Sequence, residues 1–176
     1  MKKILYVLVV VICCGVLPAE VFAGVVRVSD YTVNEFYREY NYVANNVTKN
    51  YITVVEDPIL GHEGVNYNNY LMICGSYGNA IAVILRVNKQ GHVSAISIAT
   101  PMSSEDTVLV GTKVLKNIII VLGLPEIAGG AMLEEISNGK NPAARYCYGT
   151  QRYIFMKAFL DKASGVFNLD LYAAVD

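Results

Sequence analysis

The sequence has 176 residues, of which 54% are hydrophobic and 16% are charged. A chain of this length suits one domain with one core, and its apolar content is too high for a disordered protein. Its 14 basic and 15 acidic side chains nearly cancel. Since nucleic-acid binding needs a basic surface that displaces counterions from phosphates, we expect no nucleic-acid partner.

Residues 1–23 have the three zones of a cleavable secretory signal peptide. Two lysines form a basic start, residues 4–17 form an apolar run, and the segment ends at Ala23. The apolar run is shorter than the roughly twenty residues that a membrane-spanning helix needs. We therefore expect cleavage after Ala23 and no permanent membrane anchor. The mature protein would be a single domain, residues 24–176, exported to the periplasm or the extracellular medium.

Two cysteines, Cys74 and Cys147, remain after this cleavage. In an oxidising compartment they could close one disulfide across a long loop, which would stabilise the fold by roughly 2–4 kcal/mol. Each cysteine also sits within an apolar or aromatic run, which is typical of a buried free thiol. The spacing alone does not decide between a disulfide and two free thiols.

Residues 32–49 have the pattern of an amphipathic helix. Thr32 and Glu35 form a capping-box pair at its start, and apolar side chains then recur at helical spacing. The opposite face is polar, which suits a helix that packs on a sheet with its other side in water. The apolar positions are Val33, Phe36, Tyr37, Tyr40, Val43 and Val47.

After this helix the pattern changes to short β-rich runs separated by turn-forming residues. The run at 51–55 predicts a short strand, and the polar segment 57–69, with its proline and glycines, predicts turns. Asn88–Gly91 predicts a tight turn whose glycine suits a positive φ, so the strands on either side of it should form a hairpin. The strands predicted after the polar segment are 70–74, 79–87 and 92–100.

Two helices are predicted in the middle of the chain. Ser103 and Asp106 offer an N-terminal cap for the first helix, and a glycine and a proline after residue 122 end it. Apolar residues cover most of the circumference of this helix, 104–122, so we expect it to be the central core element. A second helix is predicted at 126–137, weakened by the pair Gly129-Gly130.

The last part of the chain predicts strands again, at 145–148, 151–160 and 166–175. The final strand alternates apolar with polar residues, which predicts one buried face and one face in water. The two sets are Phe167, Leu169 and Leu171 on one side, and Asn168 and Asp170 on the other.

Helices grouped between hairpin-joined strands predict an α+β fold rather than a parallel α/β sheet. We expect a single domain with an antiparallel sheet of about five to six strands, in the order α-βββ-αα-ββ. The N-terminal helix and the two central helices should cover one face of this sheet.

No catalytic or metal-binding motif is complete in the sequence. His62 and Glu63 begin the H-E-x-x-H zinc motif, but Asn66 stands where the second histidine is needed. Ser76 directly follows a glycine and lacks the G-x-S-x-G pattern of a nucleophile elbow. We therefore predict no catalytic residue, metal or cofactor. The alternative is a small secreted hydrolase whose site assembles from dispersed loop residues, namely Asp57, His62, Glu63 and Ser76.

The composition includes 13 tyrosines and no tryptophan. A tyrosine ring offers an apolar face and a polar tip, which suits contacts with proteins, peptides and sugars. Tyrosines also pack across strand pairs and at sheet edges without any ligand. We expect a non-catalytic exported binding or interaction domain whose partner is a protein or a small ligand. The candidate contact residues lie in predicted loops or beside them and are Tyr67, Tyr70, Tyr77, Tyr146 and Tyr148.

Overall fold

The computed structural model of the protein describes residues 27–76, 79–149 and 152–173, except for the side chain of Ser76. Over these ranges the chain forms one antiparallel sheet of seven strands and three α-helices. The α+β prediction is confirmed, whereas the predicted number of strands is too low. The predicted signal peptide, residues 1–23, lies outside the described residues. No helix within those residues is long and apolar enough to cross a membrane.

The described elements follow each other in the order α-ββββ-αα-βββ. The helices are α1 (Val33–Tyr42), α2 (Glu105–Val121) and α3 (Ile127–Ser137). The strands are β1 (Ile59–Glu63), β2 (Tyr67–Ser76), β3 (Asn79–Asn88), β4 (Val93–Pro101), β5 (Ala143–Tyr148), β6 (Tyr153–Asp161) and β7 (Val166–Ala173). Across the sheet their order is β1-β2-β3-β4-β7-β6-β5, so two meanders meet where β4 pairs with β7.

Helix α1 begins at the predicted capping box. The Thr32 hydroxyl accepts a hydrogen bond from the Glu35 backbone N–H, and the Glu35 carboxylate accepts one from the Thr32 backbone N–H at 2.9 Å. The chain continues past α1 as a π-helical turn, Val43–Val47, which ends slightly before the predicted end of the helix. Phe36 and Tyr40 are fully buried and anchor α1 to the core.

Helix α2 is the central core element, as its apolar circumference predicts. Its N-cap is Ser104, whose hydroxyl accepts from the Thr107 backbone N–H at 3.2 Å, and not the predicted Ser103. The helix lies over β3 and β4 and contacts both other helices. Val114 and Ile118 are therefore fully buried within it.

Helix α3 includes both glycines that the sequence marks as a weak point. Gly129 is buried, and a Cβ at this position would lie 2.9 Å from Leu115 Cδ2 and 3.0 Å from Ile119 Cδ1. The missing side chain lets α3 pack closely on α2. The glycine therefore contributes to packing and does not delay the start of the helix.

The structure corrects the predictions between residues 51 and 69. The predicted strand at 51–55 is reduced to a single β-bridge between Val54 and Cys74. The predicted turn segment, 57–69, instead contains β1 and the start of β2. All five residues of β1 are exposed, and a register shift follows Leu60. Because β1 is an edge strand without a buried face, its sequence lacks the apolar alternation that identifies strands.

Cys74 and Cys147 are free thiols in the structure, so the possible disulfide is not formed. Cys74 lies on β2 and Cys147 on β5, and four strands separate them in the sheet. Since neighbouring strands lie roughly 4.8 Å apart, the two sulfurs are far beyond disulfide distance. Burial raises the pKa of the Cys74 thiol to about 12, so this sulfur is protonated and unreactive at neutral pH.

The described helices pack on one face of the sheet and form a single apolar cluster with the strand residues beneath them. We call the opposite face the open face, because none of the described helices covers it. Successive residues of a strand point to opposite faces. On β3, Val83 and Leu85 belong to the apolar cluster, whereas Ile84 and Arg86 lie on the open face.

Candidate functional site

Polar residues cross the open face in two adjacent rows that the strand register defines. The first row contains Asn69, Arg86, Ala95, Tyr172 and Phe155, on β2, β3, β4, β7 and β6. The second row contains Leu71, Ile84, Ser97, Asp170 and Lys157, on the same five strands. Because residues two apart in a strand share a face, the two rows are neighbours on one surface.

Arg86 lies in the first row and is only 7% exposed. Its guanidinium carbon lies 4.2 Å from the centroid of the Tyr67 ring, in a cation–π contact. Burial lowers the pKa of the guanidinium, and the charges of nearby tyrosines and Asp170 oppose that shift. An arginine nevertheless stays charged in proteins. The open face therefore holds a buried cation.

Several polar atoms around Arg86 are buried without a hydrogen-bond partner. Nε and Nη2 of Arg86 are two of them. The others are Oδ1 of Asn69, which lies opposite Arg86 on β2, and Nδ2 of Asn88, two residues further along β3. A buried polar atom without a partner costs about 1–3 kcal/mol, and more when it is charged. We call these three residues the Arg86 site.

Asp170 is buried in the second row and is 9% exposed. The Ser97 hydroxyl donates to Asp170 Oδ1 at 2.7 Å, and the Tyr172 hydroxyl also bonds to this carboxyl. Burial raises the pKa of Asp170, while these hydrogen bonds and the charges of Lys157 and Arg86 oppose the shift. Within the described part of the chain, no ion pair joins Asp170 to Arg86. The two buried charges share one surface without direct pairing.

We expect the substitution Asp170→Asn to become more stabilising as the pH rises. A raised pKa means that the folded protein holds the Asp170 proton more tightly than the unfolded chain does. The stability contributed by protonated Asp170 is fully present below the unfolded value near 3.8 and is lost as the pH rises through the folded pKa. Asparagine keeps an acceptor for Ser97 and avoids this loss, which is about 1.4 kcal/mol for each tenfold change in proton affinity.

Denaturant melts of the wild type and of Asp170→Asn, from about pH 4 to about pH 8, measure this difference in unfolding free energy. Asp161→Asn is the matched control, because hydrogen bonds from Ser164 and the Ala163 backbone lower the pKa of Asp161. Its effect should have the opposite sign, with stability lost relative to the wild type as the pH rises. If the effect of Asp170→Asn did not depend on pH, burial would not raise the pKa of the Asp170 carboxyl as described.

An aromatic cluster continues the open face toward the β5 edge of the sheet. The ring centroids of Tyr146 and Phe155 lie 4.9 Å apart, as do those of Tyr148 and Tyr153. All three tyrosines are exposed, and Tyr146 is 68% exposed. Since Phe155 also ends the first row, the aromatic cluster and the Arg86 site belong to one continuous surface.

The structure brings three of the five candidate tyrosines to the open face, namely Tyr67, Tyr146 and Tyr148. Tyr70 lies on the opposite side of β2 and packs against the helix-covered core, and Tyr77 lies outside the described residues. The four described candidates are on strands β2 and β5 rather than in loops. The asparagines and glycines beside these four tyrosines therefore lie within strands or next to them.

Arg86 and Asp170 are buried charged residues of this surface, and neither is among the site residues predicted from the sequence. One signal for Arg86 was available, because it is the single charge within the apolar run 80–87. Asp170 was predicted to face water, whereas nearly every residue of β7 is buried on both faces. The alternation in β7 predicted correctly which residues share a face, but the polar set is buried by its neighbours on adjacent strands.

The residues of the alternative hydrolase do not form a catalytic group among the described contacts. Asp57, His62 and Glu63 are exposed, and the side chain of Ser76 lies outside the described part of the protein. The His62 ring centroid lies 6.5 Å from that of Tyr67. Across residues 27–76, 79–149 and 152–173, no three His, Cys, Asp or Glu side chains are grouped so that they could hold a metal ion.

An open groove of about 710 Å³ borders the Arg86 site. Its lining includes Tyr67 and Asn88 at this end of the sheet, together with Tyr70 on the helix-covered side of β2 and Thr32 and Val33 at the start of α1. This volume is within the range of small-molecule sites. The groove therefore lies beside α1, toward the helix-covered side of the sheet, and of the Arg86 site only Asn88 lines it.

The open face thus combines a buried cation, a separately buried acid and an exposed aromatic cluster. These groups lie on strands that the sheet register holds in fixed positions. Comparison with protein-family models, with curated proteins and with solved structures finds no match for this chain.

Proposed function

We propose that this protein is an exported, non-catalytic binding domain whose ligand site is the open face of its sheet. The observation that supports this proposal is the Arg86 guanidinium, which is buried with two nitrogens unpartnered on a face that no described helix covers. Three further polar or aromatic groups, Asn69, Asn88 and Tyr67, surround it.

A structural role for Arg86 explains these contacts poorly. Removing an arginine from water costs several kcal/mol, and the contact with the Tyr67 ring returns only about 0.5–2 kcal/mol. A methionine would fill a similar volume without a buried charge. A buried and incompletely paired cation of this kind is expected where the group serves a ligand, which supports the proposal.

The aromatic cluster supports binding by a different physical effect. Exposed tyrosine rings bury a large area on contact while losing little conformational entropy, and their hydroxyls can bond to the partner. A protein or a small ligand could use this cluster. The Arg86 site favours a ligand with at least one group small enough to reach a recessed guanidinium.

Export is tested by the mass of the mature chain. We expect the protein recovered from the periplasm or the medium of an expressing bacterium to begin at Gly24, because the peptidase should cleave after Ala23. Intact-mass spectrometry measures this directly. Retention of residues 1–23 in a membrane-bound product would contradict the exported, soluble form of the proposal.

Binding is tested by affinity capture with the exported protein as bait. The wild type and two variants, Phe155→Ala and Arg38→Ala, are immobilised and exposed to an extract of the native envelope and its small molecules. Phe155 joins the aromatic cluster to the first row, whereas Arg38 is exposed on α1. We expect a specific component that the wild type and Arg38→Ala retain and Phe155→Ala loses.

Two results would count against the proposal. If Phe155→Ala retained every specific component as well as the wild type does, the binding surface would lie elsewhere than the open face. Turnover of hydrolase substrates by the wild type, abolished by His62→Ala without loss of thermal stability, would favour the secreted hydrolase instead.

A further inference from the structure

We infer that the Arg86 site binds the carboxylate of an organic acid or peptide with an apolar or aromatic body. This inference rests on the proposed function and names the ligand class of the same site. Nε and Nη2 of Arg86 lie along the same edge of the planar guanidinium, and both lack a hydrogen-bond partner. Two N–H groups in this arrangement match the two oxygens of a carboxylate.

The charges of the open face favour a single negative charge over a phosphate dianion. Asp170 lies in the neighbouring row, and its charge acts on Arg86. Each added negative charge on the ligand would be repelled by Asp170 when that residue is ionised. A carboxylate neutralises the guanidinium with one charge and brings no second one.

The two asparagines of the site complement a carboxylate and its neighbouring groups. Asn88 Nδ2 is a free donor for a carboxylate oxygen, and Asn69 Oδ1 is a free acceptor. A peptide C-terminus offers a matching pair, because its carboxylate is one residue away from an amide N–H. A simple organic acid would leave the Asn69 oxygen without a partner.

The first row indicates where the body of the ligand lies. Ala95 separates Arg86 from Tyr172 and Phe155 in the register. Ala95 is 3% exposed, so neighbouring side chains cover it, and the rings beyond it are suited to an apolar or aromatic group. Since three strand spacings span about 14 Å, a small acid or a short peptide segment reaches from Arg86 toward the aromatic cluster.

Titrations followed by the NMR signal of the Arg86 Nε–H test the inference in the wild-type protein. The probes are 3-phenylpropanoate, its neutral amide, the peptide acetyl-Ala-Ala-Phe with a free carboxylate, and the same peptide as a C-terminal amide. Concentrations up to ~10 mM detect the weak affinity expected of such small probes. We expect both acids to move the Arg86 signal and both amides to leave it unchanged.

The two acids distinguish the source of the carboxylate. Tighter binding of the peptide acid indicates a peptide C-terminus, and the Asn69 side-chain signal should then move as well. Equal or tighter binding of 3-phenylpropanoate indicates a free organic acid. Inorganic phosphate is the competing anion, and displacement of both acids by millimolar phosphate would overturn the choice of a carboxylate.

Substitutions separate the contribution of the paired N–H groups of Arg86 from that of its positive charge. Arg86→Lys keeps the positive charge but loses the paired N–H groups, and Arg86→Met loses both; each should weaken binding of the acids by roughly 10-fold or more. Arg38→Met removes an exposed arginine from α1 and should bind as the wild type does. The Nε–H titration needs no variant, so the inference is testable even if Arg86→Met folds poorly.

Three results would overturn the inference: equal binding of acids and amides, unchanged binding by Arg86→Lys, or no shift of the Arg86 signal with any probe. In each case a loss of capture by Phe155→Ala would still support the open face as the binding surface. Conversely, capture that is insensitive to Phe155→Ala would count against the proposed function even if the acids bind at Arg86.

Discussion

Replacement of Ile119 by alanine should lower the free energy of unfolding by about 2–5 kcal/mol, the usual cost of truncating a buried isoleucine. Ile119 is 2% exposed and lies on α2, where its Cδ1 faces the backbone of Gly129 on α3. Because α3 approaches so closely, the surrounding backbone cannot easily collapse into the cavity. A loss of this size is a large fraction of the stability of an ordinary domain.

Denaturant melts of Ile119→Ala and of Lys113→Ala measure the effect and its control. Lys113 lies on the same helix but is only half-buried and carries a polar head, so its truncation should change the unfolding free energy by only about 0.5 kcal/mol. An Ile119→Ala protein as stable as the wild type would mean that α2 does not pack on the sheet as described. The apolar circumference of α2 would then be a candidate docking surface.

The elements predicted correctly are those that local chemistry specifies. Thr32 and Glu35 satisfy each other's backbone N–H groups, so their spacing alone indicates where α1 begins. The Asn88–Gly91 turn joins β3 to β4 because its glycine adopts a φ of +85°. The apolar circumference of α2 indicates a buried helix before any tertiary contact is known.

The elements predicted incorrectly depend on partners distant in the sequence. Strand β1 exists because its backbone pairs with β2, and its exposed side chains carry no periodic signal. The run 51–55 has β-forming residues but only one bridge to β2. Cys74 and Cys147 could have formed a disulfide as far as spacing allows, and only the strand order excludes it.

The candidate site was less predictable than the fold, for the same reason. Arg86 and Asp170 are 84 residues apart in the chain, and the register of three strands brings them to one surface. The composition draws attention to the tyrosines, and the structure places Tyr67, Tyr146 and Tyr148 on the open face. No local pattern distinguishes an arginine that is buried without full pairing from one whose head reaches water.

The two sides of the sheet have different energetic roles. The helix-covered side is an apolar core in which α2 and α3 pack on the strands. The open face buries polar groups whose hydrogen bonds are incomplete, so it contributes less to stability for the same buried area. This asymmetry supports our proposal that one face stabilises the fold and the other binds a ligand.

Gly111 lies on α2 where the helix packs closely on the sheet. We expect Gly111→Ala to lower the free energy of unfolding. Within an exposed helix this change normally stabilises, because alanine exceeds glycine in helix propensity by about 0.5–1 kcal/mol. At Gly111, however, a Cβ would lie only 2.7 Å from Thr100 Oγ1 and 3.1 Å from Thr100 Cβ. Thr100 is itself buried on β4, so it cannot move away without disturbing the sheet.

Gly130→Ala is the matched control, because Gly130 lies within α3 and a Cβ there would meet no atom within 4 Å. Gly130→Ala should raise the unfolding free energy by about 0.5–1 kcal/mol, whereas overpacking at Gly111 should lower it by about 1–3 kcal/mol. The two melts are therefore expected to shift in opposite directions. If Gly111→Ala were as stabilising as Gly130→Ala, α2 would have to lie further from β4 than the contact with Thr100 requires.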